Sequence, residues 1–419
     1  MTSRFAALRS RDYRLLLGGQ AISLTGSQMQ QVAVIWQLYL LTRSPLALGI
    51  LGFFRILPIA VLALGGGVFA DAFDRRRVML VTQSVLALVS VTLAWLSYSG
   101  RTTPNAIYGL AMLAGAATAF DNPSRQALVP RLVEAEQLPN ALSLYVTVFQ
   151  IGTVAGPALG GAVLAFSGPT VIYLLDAGSF LVVIGALLAM QHRQTGRGVS
   201  QINADALIEG LRFLRGMPLI WSTMLLDFIA TFFAGSLLLL PIFADQLFHV
   251  GPRGLGLLYA AQPLGAVLMG TVLSIRRPIR RQGPALLWAV ATYGVAVALF
   301  GISPWFWASF VLLAISGAAD TVSTIIRNII RQTLTPDELR GRISSVVMIF
   351  FMGGPQRCGV TSPANDRMLR LRTPPVAAKP SHPSRTSRAF CPSDSGVNGL
   401  GKKAIPRAVS PPRIVGSSV

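Results

Sequence analysis

The chain has 419 residues, 52% hydrophobic and only 12% charged, with a formal net charge of +20 and a mean hydropathy of +0.58. Soluble domains carry about a quarter charged residues, so this composition excludes a water-facing surface over most of the length and indicates a polytopic membrane protein. Both cysteines, Cys358 and Cys391, lie past residue 356, so no disulfide framework is available to the hydrophobic body.

The opening Met1-Thr-Ser-Arg-Phe leads through Arg4, Arg9, Arg11 and Arg14 into an apolar run too long and too polar for a signal-peptide core, so the first span is expected to act as its own insertion signal. A helix needs about 20 mostly apolar residues to cross the hydrocarbon core. Such runs fall at 15–41, 46–70, 78–99, 105–127, 140–166, 169–191, 219–246, 254–275, 284–302 and 305–327. An eleventh starts at Ile343 and stops near Met352. Alternating the spans from a cytoplasmic N-terminus puts 21 arginines in inner segments and three, Arg43, Arg101 and Arg253, in outer links. That asymmetry follows the positive-inside rule.

Between the second and third runs stands Gly67-Val-Phe-Ala-Asp71-Ala-Phe-Asp74-Arg75-Arg76-Arg77, a short charged link closing a hairpin of two membrane-length helices. The fifth run contains Gly152-Thr-Val-Ala-Gly156-Pro157-Ala-Leu-Gly160-Gly161. Glycines at this spacing let helix backbones approach closely, and the proline frees a carbonyl and bends the helix. At 192–216 the apolar residues of Ile202-Asn-Ala-Asp205-Ala-Leu-Ile-Glu209 recur every three or four positions, predicting an amphipathic helix at the inner surface. The residues before and after it are alike. Gly115-Ala116, Arg125, Glu136 and Gly152 align without gaps, 202 residues on, with Gly317-Ala318, Arg327, Glu338 and Gly354. Duplicated halves around a shared site are a common secondary-transporter plan.

Residues 357–419 hold 11 basic and 2 acidic side chains, are rich in Pro and Ser, and show no apolar periodicity, so disorder is expected. Two origins stay open. The segment is a natural basic tail, or it follows a shift of reading frame near Gln356–Cys358 that leaves the eleventh span incomplete and the twelfth absent.

Gly67-x-x-x-Asp71 followed by Arg75-Arg76 resembles motif A of the major facilitator superfamily, with Ala72 and Asp74 departing from the usual form. Gly152 to Gly161 is similar to motif C, the antiporter signature of that superfamily's exporters. Asp121-Asn-Pro-Ser-Arg125, Leu175-Asp176-Ala-Gly-Ser-Phe180 and Thr335-Pro336-Asp337-Glu-Leu-Arg340 resemble most the branch containing the enterobactin exporter and macrolide-efflux proteins. The resemblance covers about residues 10–355. It implies an all-α membrane protein of the major facilitator fold, two six-helix halves with the C-terminal half incomplete, at about ten full spans plus a stub. The expected division is 1–191, a linker at 192–216, 217–356 and a tail at 357–419. Implied too are export of a small molecule (drug, siderophore or other metabolite) across the cytoplasmic membrane by proton antiport, and a monomer with the lipid bilayer as its surroundings. A truncated product that transports nothing and a non-transporting membrane sensor are the alternatives.

On this resemblance motif A is a latch. Asp71 faces the N-terminus of the eleventh span, whose dipole favours an anion by roughly 0.3–1 kcal/mol, and Arg75 or Arg76 pairs with Asp121. The plainer reading makes these arginines topogenic charges only. Ionisable or polar residues inside spans are the other candidates, because an uncompensated charge at mid-membrane costs at least about 2.5 kcal/mol. They are Arg55, Asp176, Asp227 and Asp320, the last in a stripe with Ser316, Thr324 and Arg327, together with Gln31 at the end of a stripe through Gln20, Ser23 and Ser27. Each acid is either a proton carrier or half of an interhelical pair. No cofactor is expected: Gly396-Val-Asn-Gly-Leu-Gly401-Lys402-Lys403 lacks the Ser/Thr of a phosphate loop, and His192, His249 and His382 are too scattered for a metal site. The basic tail has no aromatic interleaving, so nucleic-acid binding is not expected.

Overall fold

The apolar runs fold as helices in the computed structural model, which describes residues 6–72, 74–191, 222, 225, 236–275 and 281–334; the side chains of 60, 63–72, 236, 237 and 331–334 fall outside that description. Outside it too lie the expected linker helix at 192–216, Asp227, the eleventh span from Ile343 to Met352 and the tail at 357–419. The helices are α1 (Arg11–Thr42), α2 (Pro45–Ala72), α3 (Arg75–Tyr98), α4 (Pro104–Leu132) and α5 (Leu138–Ala189) in the first half. In the second half come α6 (Gly251–Ile275), α7 (Gln282–Ile302) and α8 (Phe306–Leu334), preceded by a short helical stretch that ends in the π-turn Phe243–Leu247.

The helices outrun the apolar stretches because polar residues begin and extend them. Ser10 accepts from the Tyr13 N–H at 3.3 Å to start α1, Asp74 accepts from the Arg76 N–H at 3.0 Å to start α3, and Thr103 caps α4. Side-chain acceptors at this position satisfy the amides that a helix start leaves unpaired. Asp74, a departure from motif A, is thus the cap that starts the third span. The predicted runs at 140–166 and 169–191 are two arms of α5, bent at Gly168 with φ 72° and ψ −179°. That region is open to glycine almost alone. Among the described residues five helices, with α5 taken as one, are long and apolar enough to cross a membrane: α3, α5, α6, α7 and α8. In α1 and α4 the buried polar residues lower the hydropathy.

Within the first half α1 packs on α5, α2 on α4, and α3 on both α4 and α5; in the second, α8 packs on α6 and α7. The repeat is visible in these contacts. A Cβ on Gly115 of α4 would collide with the Arg55 carbonyl of α2, and one on Gly317 of α8 with the Gln262 carbonyl of α6. Helix α3 is inverted relative to a soluble helix. Val81, Leu88 and Trp95, seven residues apart, are exposed, whereas Thr82, Gln83 and Ser90 are buried. An apolar stripe turned outward and a polar one turned inward fit lipid surroundings.

Candidate functional site

At the arginine-rich end, Arg75 donates to the Ala127 carbonyl of α4 at 3.0 Å and Arg76 to the Leu188 carbonyl of α5 at 3.1 Å. Both acceptors lie near C-terminal helix ends, where unpaired carbonyls attract cations. Asp121 is 1% exposed and forms its ion pair with Arg125, one turn along its own helix, not with Arg75 or Arg76. Thr82 and Gln83 each donate to it at 2.9 Å. The expected pairing is corrected for a geometric reason: Asp121 points into the bundle of α3 and α4, while the hairpin arginines reach along its rim. Gly67 lies within α2, and the Asp71 side chain falls outside the described residues.

Motif C divides its glycines between two neighbours. A Cβ on Gly152 would stand 3.4 Å from the Leu24 Cβ, one on Gly156 2.5 Å from the Gln28 Cβ, and one on Gly160 2.9 Å from the Met29 Cα, so these three form a seam against α1. Gly161 turns instead to the other half, where a Cβ would meet the Pro252 carbonyl at 2.6 Å and the Gly256 Cα at 2.7 Å. A Cβ on Gly256 would meet the Pro157 carbonyl at 2.5 Å. Backbone touches backbone where α5 crosses α6.

Asp176 is fully buried. Its carboxylate accepts from Ser90 at 2.7 Å, from Ser27 at 3.3 Å and from Ser179 at 3.4 Å, and it has no ion pair among the described residues. Gly26 leaves room for this group: a Cβ there would lie 2.8 Å from the Ser179 Oγ and 3.0 Å from the Asp176 Oδ1. Asp320 differs. Its side chain is half exposed, 3.9 Å from Arg327. Arg55 is exposed and Gln31 is partly buried. These candidates therefore do not form one cluster, since Asp176 is enclosed by the first half and Arg55 and Asp320 reach solvent.

At the opposite end Arg43 pairs with Asp245. Tyr39 donates to Asp245 at 2.8 Å, and Gln246 donates to the Tyr39 hydroxyl at 3.2 Å. Arg253 of α6 sits 4.0 Å over the Phe166 ring of α5. Two half-bundles joined across one end by an ion pair and a glycine crossing form a carrier architecture, and comparison with known proteins decides the family. A profile described as "Transmembrane secretion effector" matches residues 2–361. The chain belongs to the transmembrane secretion effector family of the major facilitator superfamily.

As a member of that family it is a multi-pass membrane transporter of small molecules. Relatives include the enterobactin exporter EntS of Shigella boydii serotype 18, 28% identical over 336 residues, and that of Escherichia coli O1:K1, 28% over 338; each alignment spans 80% of both chains. Among solved structures, a bacterial homologue of the human lysosomal transporter Spinster, inward-facing and unoccupied, superposes with a TM-score of 0.66 at 17% identity, covering 84% of this chain and 81% of that one. A bacterial homologue of the iron transporter ferroportin, in an inward-facing state, gives 0.66 at 18%, covering 86% and 94%.

Sequence reasoning missed Tyr39, Arg43, Asp245 and Gln246. A usable signal existed: Arg43 and Asp245 are 202 residues apart, the spacing of the internal repeat, so they occupy equivalent places and face each other across the join. Gln30, Ser90 and Ser179 were also passed over, because single serines and amides in an apolar run look like ordinary packing.

Proposed function

We propose that this transporter exports a small, amphipathic molecule from the cytoplasm in exchange for protons, by alternating access. The observation that carries the reading is the join between halves at the end remote from the arginine-rich hairpin, made by Arg43–Asp245 and the Gly161–Gly256 crossing. Arginine placement puts that hairpin and the N-terminus in the cytoplasm, so the join closes the outer side and the site between halves opens inward, ready to load cargo. The kinship with enterobactin exporters supports a siderophore, drug or similar metabolite as cargo. The protein acts as a monomer in the cytoplasmic membrane, with halves at 1–191 and 217–356 separated by the linker at 192–216 and followed by the tail at 357–419. Asp71 completes the inner latch when the carrier opens outward; Arg55, Gln31, Asp227 and Asp320 belong to the cargo path.

Cells expressing the chain and loaded with ethidium test this. Efflux above the vector control that a protonophore abolishes, and that Asp71→Asn reduces, is expected. Efflux indifferent to the protonophore would remove the antiport claim, and efflux unchanged in Asp71→Asn would remove the latch.

A further inference from the structure

Buried polarity in this molecule has a direction. Among the described residues, buried amides and charges occur only in the first half, at Gln20, Gln83, Asp121, Arg125 and Asp176, whereas the second half buries serines alone. The groups are also in register. Gln30 of α1 donates to Ser90 of α3 at 2.7 Å, and Gln37 donates to Ser97 at 3.3 Å, each pair 60 residues apart. Gln30 and Gln37 on α1 thus bond Ser90 and Ser97 on α3 one seven-residue step apart, about 10 Å along the helix, and Ser23 and Gln83, both buried, share the offset one step further in.

The ladder is anchored at both ends. Gln83 donates to Asp121 toward the arginine-rich side. At the other side Gln37 accepts from Tyr173 at 2.7 Å, and Ser97 accepts from Thr170 at 3.0 Å. Asp176 stands at the middle step, in contact with Ser27 of α1, Ser90 of α3 and Ser179 of its own helix. The nearest charged side chains along the ladder, Asp121 and Arg125 of α4, are committed to each other. Gln20 buries both amide atoms without a hydrogen-bond partner among the described residues. An unpaired buried amide costs about 1–3 kcal/mol; a water held there would satisfy it and carry the ladder toward the inner side.

We propose that protons cross the interior of the first half along this ladder, with Asp176 as the group that holds the proton in transit, while cargo takes the separate route between the halves. A hydronium ion on the outer side breaks an O–H bond to give its proton to the Asp176 carboxylate, leaving water and a neutral carboxyl. On the inner side that O–H bond breaks and the proton leaves to water, restoring the carboxylate. This deepens the antiport reading above and rests on it.

The test uses the full chain reconstituted in liposomes, with ethidium as the transported probe, an imposed pH gradient as the only driving force, and the infrared carbonyl stretch of a buried protonated carboxyl followed through a pH titration. Wild-type transport is expected to follow the gradient; if it does not, or if a sodium gradient drives it instead, the antiport reading itself fails. With a responsive wild type, Asp176→Asn is expected to lose both the gradient response and the infrared band, and retention of either overturns the ladder. Ser90→Ala is expected to shift the band, which covers the case in which Asp176→Asn does not fold; an unshifted band overturns the proposal. Gln20→Leu separates conduction from packing. It is expected to melt no lower than wild type yet slow gradient-driven transport, and an undiminished rate overturns the path.

Discussion

The two halves share a packing plan but not a polar interior. Gly115 and Gly317 do the same work 202 residues apart, each bringing a helix onto its neighbour's backbone. The same offset maps the Asp121–Arg125 pair onto Ser323 and Arg327. In the first half that position is a buried acid satisfied by an ion pair and two further donors. In the second it is a buried serine hydroxyl with no partner among the described residues, and Arg327 turns to Asp320 and Thr324. Helix approach depends on the backbone and survives duplication unchanged, whereas buried charge is retained where a task needs it.

The largest expected effect comes from breaking the polar side of this comparison. Asp121→Ala leaves Arg125 charged and buried without a countercharge, with only the Tyr145 hydroxyl beside it, which should cost about 3–5 kcal/mol. The matching Ser323→Ala removes a hydroxyl that bonds none of the described residues and should change stability by less than about 0.5 kcal/mol. Thermal unfolding of the two variants in detergent checks both, and equal losses would erase the asymmetry. Gly161→Ala should cost about 1–3 kcal/mol as an overpacked contact and shift the carrier away from the joined state, because its Cβ meets the Pro252 carbonyl at 2.6 Å. Gly152→Ala, with 3.4 Å to the nearest atom, should be tolerated. Spin-label distances between α5 and α6 would register the difference.

A smaller effect is expected from Asp74→Ala, which removes the cap of α3 at about 1 kcal/mol. Hydrogen exchange at the first turn of α3 measures it. Least of all is Arg43→Ala. The Arg43 side chain is 55% exposed, so solvent screens the pair and the loss should be about 0.2–1 kcal/mol. Its signature is conformational. Spin-label distances between α1 and α6 should lengthen, and Asp245→Ala should add little in a double-mutant cycle.

What the sequence made legible follows from what it encodes locally. Apolar length defined the spans, arginine placement defined their ends, and glycine spacing marked α5 as a close-packing helix. Helix ends were misjudged where a polar cap or a run of arginines carried the helix beyond its apolar core, as at Ser10 and Asp74. Pairings were not legible, because a hydrogen bond depends on where two distant helices meet. Asp121 was expected to take a hairpin arginine, yet Arg125, four residues away on the same helix face, was already within reach. The Asp176 shell comes from three helices, and its serines announce nothing individually. Only the heptad spacing of 30 and 37 against 90 and 97 was there to be read.

The bend at Gly168 has a mechanical result. With φ at 72°, one glycine reverses the chain so that both arms of α5 lie along α1, Gly152 to Gly160 beside Leu24 to Met29 and Val183 to Asp176 beside Gly19 to Gly26. The stretch bearing Gly161 and the stretch bearing Asp176 are thus tied by a single residue. Any side chain at 168 would have to adopt a backbone region open to glycine almost alone, so the tie admits no substitute.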